Sequence, residues 1–248
     1  MNIPLYKGKL PFVTADQMKE VDRALLEDFH IELAQVMENA GRNLAHLARI
    51  RFLDNNPADK KVFVLAGSGR NGGGALVCAR HLQNWGAATN VFVTRPSETL
   101  APATFHQLEI LHRMKIPISL PGAVPKPGKA DLIVDGIIGY RLSGPPKGSA
   151  ADLIRWANEQ GFPILALDIP SGIDATTGRV FDLAIKASAT MTLALPKTGL
   201  LVPEAKAFVG ELYLADVGVP SHLYSERGWS FRVGPIFSES ELLRIEPA

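Results

Sequence analysis

A glycine-rich segment, Gly67–Gly74, carries the first residues of this sequence that could do chemistry; it reads Gly-Ser-Gly-Arg-Asn-Gly-Gly-Gly. It follows an apolar run and precedes a helical pattern, so backbone N–H groups and the positive end of a helix would face the same space. The segment therefore predicts a cradle for an anion or a phosphate. A tight turn that binds no ligand is the alternative, but five glycines within eight residues favour the cradle.

Gly67, Gly69 and Gly72 also satisfy the G-x-G-x-x-G spacing of dinucleotide-binding folds. In such folds an acid at the end of the second strand binds the ribose 2′-hydroxyl, whereas this second apolar run ends in Thr94 and Arg95. Arg95 could face a 2′-phosphate instead. The spacing alone therefore leaves an NADP-dependent reductase open as an alternative, although no second catalytic domain is recognisable.

Two acids end later apolar runs, and each begins a flexible segment. Asp135 is followed by a glycine-rich loop, so it either caps that loop or binds a cation or a hydroxyl group. Asp168 begins Asp-Ile-Pro-Ser-Gly, where Pro170 stiffens the turn and Gly172 lets it bend, so that Asp168 and Ser171 can point to one place. Asp168 is the candidate for proton transfer; a buried acid that caps the next turn is the alternative.

The elements that must position these residues follow from the apolar runs. Continuous apolarity without alternation indicates strands that are buried on both faces, and therefore parallel strands between helices. Thr14 and Gln17 have capping-box spacing before a first helix. The predicted strands are 62–66, 90–94, 132–135, 163–168, 188–195 and 211–217, and the predicted helices are 14–29, 31–52, 74–85, 101–114 and 149–160.

These elements predict an α/β fold: a three-layer, doubly wound, mostly parallel sheet of the Rossmann-like type with a helical N-terminal arm. We expect a single domain over 1–248, with the arm at 1–56, the core at 57–220 and a C-terminal extension at 221–248. In open α/β sheets, ligands bind beyond the carboxyl ends of the strands. The glycine segment and the two acids should therefore meet at one edge of the sheet.

Composition narrows the class of protein. The 248 residues are 46% hydrophobic and 21% charged, as in ordinary globular domains. The net charge is +1 and no basic run occurs, so we expect neither a nucleic-acid nor a membrane partner. The single cysteine, Cys78, excludes an internal disulfide and suits a reducing compartment. We therefore expect a cytoplasmic protein.

Taken together, the motifs resemble the YjeF N-terminal domain family, the NAD(P)H-hydrate epimerases, over nearly the whole chain. Such ordered agreement is more specific than any one motif. The stretches that carry it are Thr14–Arg23 with Met37–Gly41, Ala66–Leu82, Asp131–Gly139, Leu167–Gly178, Pro196–Leu200 and Gly210–Pro220.

The resemblance implies an enzyme that interconverts the R and S epimers of hydrated NADH and NADPH, which carry a hydroxyl group at carbon 6 of the reduced nicotinamide ring. It implies acid/base catalysis by Asp168, a potassium ion held by Asn71, Asp135 and Ser171, and a homodimer. The substrate-binding residues that it implies are Arg70, Asn71, Gly72, Gly73, Gly74, Gly139, Tyr140, Arg141, Leu142, Ser143, Gly144, Pro145 and Asp168.

One stretch departs from the family pattern. The usual loop reads Asn-Asn-Gly-Gly-Asp, whereas this chain has Arg70 in place of the first Asn and Gly74 in place of the Asp. Arg70 adds a charge that could meet a phosphate. The departure also keeps a second function class open, a catalytically inactive nucleotide-binding module of the same fold.

Overall fold

The computed structural model describes residues 3–124, 129–225, 229 and 231–246, and these build one eight-stranded sheet. The predicted C-terminal extension is described except at 226–228, 230, 247 and 248. The strands are β1 (Lys61–Ala66), β2 (Ala88–Val93), β3 (Ile118–Ser119), β4 (Leu132–Gly136), β5 (Ile164–Leu167), β6 (Ala189–Leu193), β7 (Glu211–Ala215) and β8 (Leu242–Ile245).

Seven α-helices accompany the sheet in the part of the chain that the structure describes. Among the described residues, no helix is both long and apolar enough to cross a membrane. The helices are α1 (Ala15–Glu27), α2 (Leu33–Phe52), α3 (Arg70–Asn84), α4 (Pro102–Arg113), α5 (Ser149–Glu159), α6 (Pro203–Val209) and α7 (Ser221–Ser225), with 3₁₀ turns at Ser97–Thr99 and Thr198–Leu201.

The sheet confirms the predicted doubly wound class. Its order is β3-β2-β1-β4-β5-β6-β7-β8, and all neighbours are parallel except β7 and β8. Strand order reverses between β1 and β4, which is where open α/β sheets bind their ligands. Two strands were not predicted: β3, which has two residues, and β8, which lies in the predicted extension and pairs with β7.

Helices cover both faces of the sheet, because the central strands are apolar on both sides. On one face, Leu44 of α2 and Leu76 of α3 join a core with Val64 and Val134. On the other face, Trp156 of α5 lies in a separate core with residues that include Phe63, Ile133 and Ala166. Three layers therefore hold the strand ends in fixed register.

The helix boundaries follow the capping signals, with one correction. Thr14 and Gln17 form the predicted capping box before α1. Helix α3, however, begins at Arg70 and not at Gly74. The low helix propensity of Gly72, Gly73 and Gly74 favoured a loop at this position. Tertiary packing overrides that weak preference in the structure. The segment predicted as a free loop therefore forms the first turn of α3.

Candidate functional site

A pocket of about 850 Å³ lies beyond the carboxyl ends of β1, β2, β4 and β5. Helices α1 and α2 form one wall, through side chains that include Met18 and Met37. The pocket brings together most of the predicted substrate-binding residues: Arg70, Asn71, Gly74, Gly139, Tyr140, Arg141, Leu142, Ser143, Gly144, Pro145 and Asp168 line it.

The structure does not place four of the predicted site residues on the pocket surface. Gly72 and Gly73 are buried in the first turn of α3, and Asp135 and Ser171 are fully or almost fully buried and absent from the lining. These residues can support the pocket or hold an ion from below. They do not form its wall.

Close packing explains most of the glycines in the Gly67–Gly74 segment. A Cβ atom on Gly67 would lie 1.8 Å from the carbonyl oxygen of Ile137, and one on Gly72 would lie 1.9 Å from the carbonyl oxygen of Gly67. Gly73 and Gly74 pack against Met37 and Leu167 in the same way, whereas Gly69 has open space. The number of glycines therefore does not itself indicate a ligand, contrary to the sequence argument.

The start of α3 nevertheless offers free backbone donors. Gly69 is the N-cap, and the N–H group of Gly73 donates to its carbonyl oxygen at 3.2 Å. The N–H groups of Arg70, Asn71 and Gly72 precede that bond, so they have no partner within the helix. Because Arg70 and Asn71 line the pocket, the positive end of α3 opens towards it.

Asp22 of α1 ties this helix end to the loop after β4. Its Oδ2 atom accepts a hydrogen bond from Arg70 (2.7 Å), one from the Tyr140 hydroxyl group (2.5 Å) and a longer one from Arg141 (3.3 Å). Burial and the neighbouring Asp22 carboxylate raise the pKa of Tyr140, so Tyr140 stays a neutral donor. The substituted residue Arg70 is thus already held by an acid from the helical arm.

Asp168 is a buried acid in a strained turn at the end of β5. Its side chain is almost fully buried and its φ angle is +69°, which is rare for a residue other than glycine. The N–H group of Ile169 donates to the carbonyl oxygen of Leu167 at 2.9 Å, which closes a γ-turn around Asp168. Strain of this kind concentrates at functional sites.

Lys197 is the partner of Asp168 and was not among the predicted site residues. This lysine is fully buried, and its Nζ atom lies 2.5 Å from Asp168 Oδ1. Nζ also donates to Thr192 Oγ1 (3.3 Å) and to the carbonyl oxygen of Leu193 (2.9 Å). All three ammonium donors are therefore used within the protein. A lysine directly after the apolar run 193–196 was the available signal.

The turn after β6 repeats the one after β5. Ala194 has a φ angle of +63°, and the N–H group of Leu195 donates to the carbonyl oxygen of Leu193 at 2.7 Å. Two neighbouring strands thus end in the same strained turn, and these turns carry Asp168 and lead to Lys197. The backbone N–H group of Tyr140 adds a hydrogen bond to Asp168 Oδ2 at 3.2 Å.

Below the pocket, Asp135 and Ser171 join two strand ends. The Ser171 hydroxyl group donates to Asp135 Oδ1 (2.7 Å), and the Ser171 N–H group donates to Oδ2 (2.8 Å). The N–H group of Ile137 also donates to Oδ1, at 3.1 Å. Burial outweighs these bonds and raises the pKa of Asp135 to about 6.

Asn71 does not join this hydrogen-bonded pair. Its amide Nδ2 is buried without a partner among the described residues, and its side chain lies against Gly139. Within the described part of the chain, Asp135 has no basic partner either. The unpartnered Nδ2 atom is a hydrogen-bond donor and does not itself indicate a cation. The side-chain oxygen of Asn71, the single carboxylate of Asp135 and the hydroxyl group of Ser171 are nevertheless oxygen ligands of a kind that fits a cation of low charge.

Residues 33–199 match the family described as YjeF-related protein N-terminus. A protein of Dehalogenimonas lykanthroporepellens named NAD(P)H-hydrate epimerase is 40% identical over 220 residues, which are 87% of this chain and 85% of that protein. One of Rhodopirellula baltica with the same name is 31% identical over 87% of each chain.

Two further similarities bear on the extent of the domain. The bifunctional NAD(P)H-hydrate repair enzyme Nnr of Moorella thermoacetica is 34% identical over 89% of this chain but only 43% of that enzyme. The crystal structure of yeast ynu0 superimposes with a TM-score of 0.79 at 26% identity and covers 95% of this chain and all of that one. By its matched residues, its relatives and its fold, this chain belongs to the family of YjeF-related protein N-termini.

Proposed function

We propose that this protein is an NAD(P)H-hydrate epimerase, which interconverts the R and S epimers of hydrated NADH and NADPH. The names of the relatives supply the activity. The observation in this structure that carries it is the buried ion pair of Asp168 and Lys197 on a pocket large enough for a dinucleotide. A homodimer and a cytoplasmic location remain predictions.

Asp168 is the proton-transfer group of the proposed reaction. Acid assistance to a departing hydroxide and base assistance to the returning water are the same proton transfer in opposite directions, so one carboxylate can serve both. Lys197 acts as a positioning residue, because its three donors are used and none is left for the substrate. With the Tyr140 N–H group, it fixes the carboxylate before substrate binds.

The free N–H groups at the start of α3 bind the substrate's phosphates in this proposal. The loop from Gly139 to Pro145 then covers the nicotinamide end, since Tyr140 touches both Asp168 and Asp22. Both contacts connect this loop to the floor and the wall of the pocket. Substrate binding and catalysis therefore depend on the same segment.

Asn71, Asp135 and Ser171 would hold the proposed potassium ion. A bound potassium ion would supply a fixed positive charge beneath the pocket. Asp135 and Ser171 join the ends of β4 and β5, and Asn71 lies in the first turn of α3, which carries the proposed phosphate-binding N–H groups. Activity and thermal midpoint in potassium, compared with a bulky organic cation at matched ionic strength, test the ion, because a ligand of the folded state must raise the midpoint.

The experiment that tests the function starts from one purified epimer of hydrated NADH and follows interconversion against the spontaneous rate. Wild-type protein should accelerate it, and Asp168→Asn should lose on the order of 100- to 10,000-fold. Asp182→Asn, an exposed acid outside the pocket, is the matched control and should keep full activity. Assays must run well below each variant's thermal midpoint, because Asp168→Asn leaves Lys197 without its anion.

Two results would overturn the proposal. Wild-type turnover in folded Asp168→Asn would make Asp168 a structural acid. Binding of ADP-ribose without any acceleration by the wild-type protein would identify a catalytically inactive nucleotide-binding module.

A further inference from the structure

The end of the pocket opposite Asp168 carries three unengaged polar side chains. Ser68 follows β1, and Thr94 and Arg95 follow β2; all three line the pocket. Within the described ranges, none of these side chains has a hydrogen bond or ion pair. Arg95 is exposed, so its guanidinium is available to a ligand.

The backbone holds this end of the pocket beside the start of α3. The N–H group of Ala101 donates to the carbonyl oxygen of Ser68 at 2.9 Å, and the Thr104 hydroxyl group donates to that of Gly69, also at 2.9 Å. The segment between β2 and α4 is therefore tied to the segment that begins α3. Arg95 lies in this tied segment.

Strand order fixes which part of a dinucleotide reaches Arg95. The sequence of neighbours is β2-β1-β4-β5, with Asp168 after β5 and the helix end after β1. If the nicotinamide ring lies at Asp168 and the phosphates lie at α3, the adenosine must extend towards β2. The three strand spacings between β5 and β2 amount to about 14 Å, a span suited to an extended dinucleotide.

The charge at this end differs from that of a site for an unphosphorylated ribose. Rossmann-type sites bind the ribose 2′-hydroxyl group through an acid near the end of the second strand, and accommodate a 2′-phosphate through an arginine. Here the pocket's acids, Asp22 and Asp168, both pair with other basic residues. Arginine binds phosphate through paired charge-assisted hydrogen bonds.

We infer that Arg95, with the hydroxyl groups of Ser68 and Thr94, recognises the 2′-phosphate of the substrate and makes the phosphorylated form, hydrated NADPH, the preferred one. The inference rests on the proposed function for its substrate, but the recognition itself is a binding property. Charge-assisted hydrogen bonds of this kind correspond to a preference of about 10- to 100-fold at low salt.

Calorimetry with two ligands that cannot react provides the test: 2′-phospho-ADP-ribose and ADP-ribose. Wild-type protein should bind the first about 10- to 100-fold more tightly. Arg95→Gln should remove that difference by weakening the binding of 2′-phospho-ADP-ribose alone. Arg95→Asp should reverse the preference, so that ADP-ribose binds more tightly. Arg113→Gln, an exposed arginine outside the pocket, is the matched control and should change neither affinity.

The kinetic arm compares kcat/KM for the hydrates of NADPH and NADH. The inference would be overturned if the wild type bound 2′-phospho-ADP-ribose and ADP-ribose with equal affinity. It would also be overturned if Arg95→Gln lowered the affinity for both ligands equally. Turnover of both hydrates with equal kcat/KM would also overturn it while leaving the epimerase function intact. An Arg95-dependent preference in binding without any turnover would support the inference and overturn the function.

Discussion

Replacing Lys197 with methionine isolates the energetic role of the buried ion pair. Methionine fills much of the space of the lysine stem but removes the charge, so Asp168 keeps only the N–H group of Tyr140. Because the Asp168 side chain is almost fully buried, the little water that reaches it from the pocket is a poor replacement for the ammonium group. Removal of one partner from a buried pair costs about 3–5 kcal/mol.

That loss is large but survivable. The free energy of unfolding of a native protein is roughly 5–15 kcal/mol. A loss of the size given above is smaller than most of that range, so Lys197→Met should still fold. At about 2–4 °C per kcal/mol for a chain of this size, its thermal midpoint should fall by about 6–20 °C. Urea denaturation at 25 °C measures the free energy directly.

The double variant Lys197→Met/Asp168→Asn provides the decisive comparison. Replacement of both charges by neutral groups removes the uncompensated carboxylate, so this variant should be more stable than Lys197→Met alone. Lys206→Met, an exposed lysine on α6, is the control and should change stability by less than about 0.5 kcal/mol. If the two single losses simply add in the double variant, the pair has no coupling and the reasoning fails.

The glycine geometry predicts that Gly72→Ala loses several kcal/mol or fails to fold, whereas Gly69→Ala changes little; chemical denaturation of the two variants checks this. Gly69→Asp should cap α3 and raise stability slightly, but its negative charge should lower the affinity for ADP-ribose, which calorimetry measures. An unchanged affinity would show that the phosphates bind elsewhere. Burial raises the pKa of Asp135 from 3.8 to about 6, so in ion-free protein the folded state holds a proton that the unfolded state has lost. Stability should therefore fall by about 3 kcal/mol as pH rises from about 4 to 6, Asp135→Asn should flatten that fall in a pH series of urea titrations, and an unchanged slope would refute it. Ala194→Gly should relieve the turn after β6 and stabilise the protein by up to about 1 kcal/mol, which a thermal scan can detect.

Local signals were sufficient for most of the fold. The apolar runs located β1, β2, β4, β5, β6 and β7 within a few residues, and Thr14 with Gln17 located the start of α1. These signals are local because burial on both faces and helix capping involve neighbouring residues. Of the two strands that were missed, β3 has two residues, too few for a period to be recognised, and the apolar run of β8 is interrupted by Arg244.

Long-range packing explains what the sequence could not predict in the site. The partner of Asp168 lies 29 residues away, and the pair forms only because β5 and β6 are neighbours. Gly67 is required by the close carbonyl oxygen of Ile137, and Gly73 and Gly74 pack against Met37 and Leu167; no local pattern contains these contacts. The strand-end acids could be predicted because topology brings carboxyl ends to one edge; the roles of Asp168 and Arg95 remain predictions.

The paired γ-turns place stability and activity in opposition at one residue. At Asp168, as at Ala194, glycine would relieve a left-handed backbone, so the substitution that best suits the turn is one that removes the carboxylate. A laboratory selection for heat resistance alone would favour glycine at Ala194, in the turn after β6. It would tolerate the loss of Asp168 only if Lys197 were replaced as well, because the lysine would otherwise be left buried without its partner. Thermostable variants of this protein should therefore be screened by turnover as well as by melting temperature, since improvement in one measurement can record damage to the other.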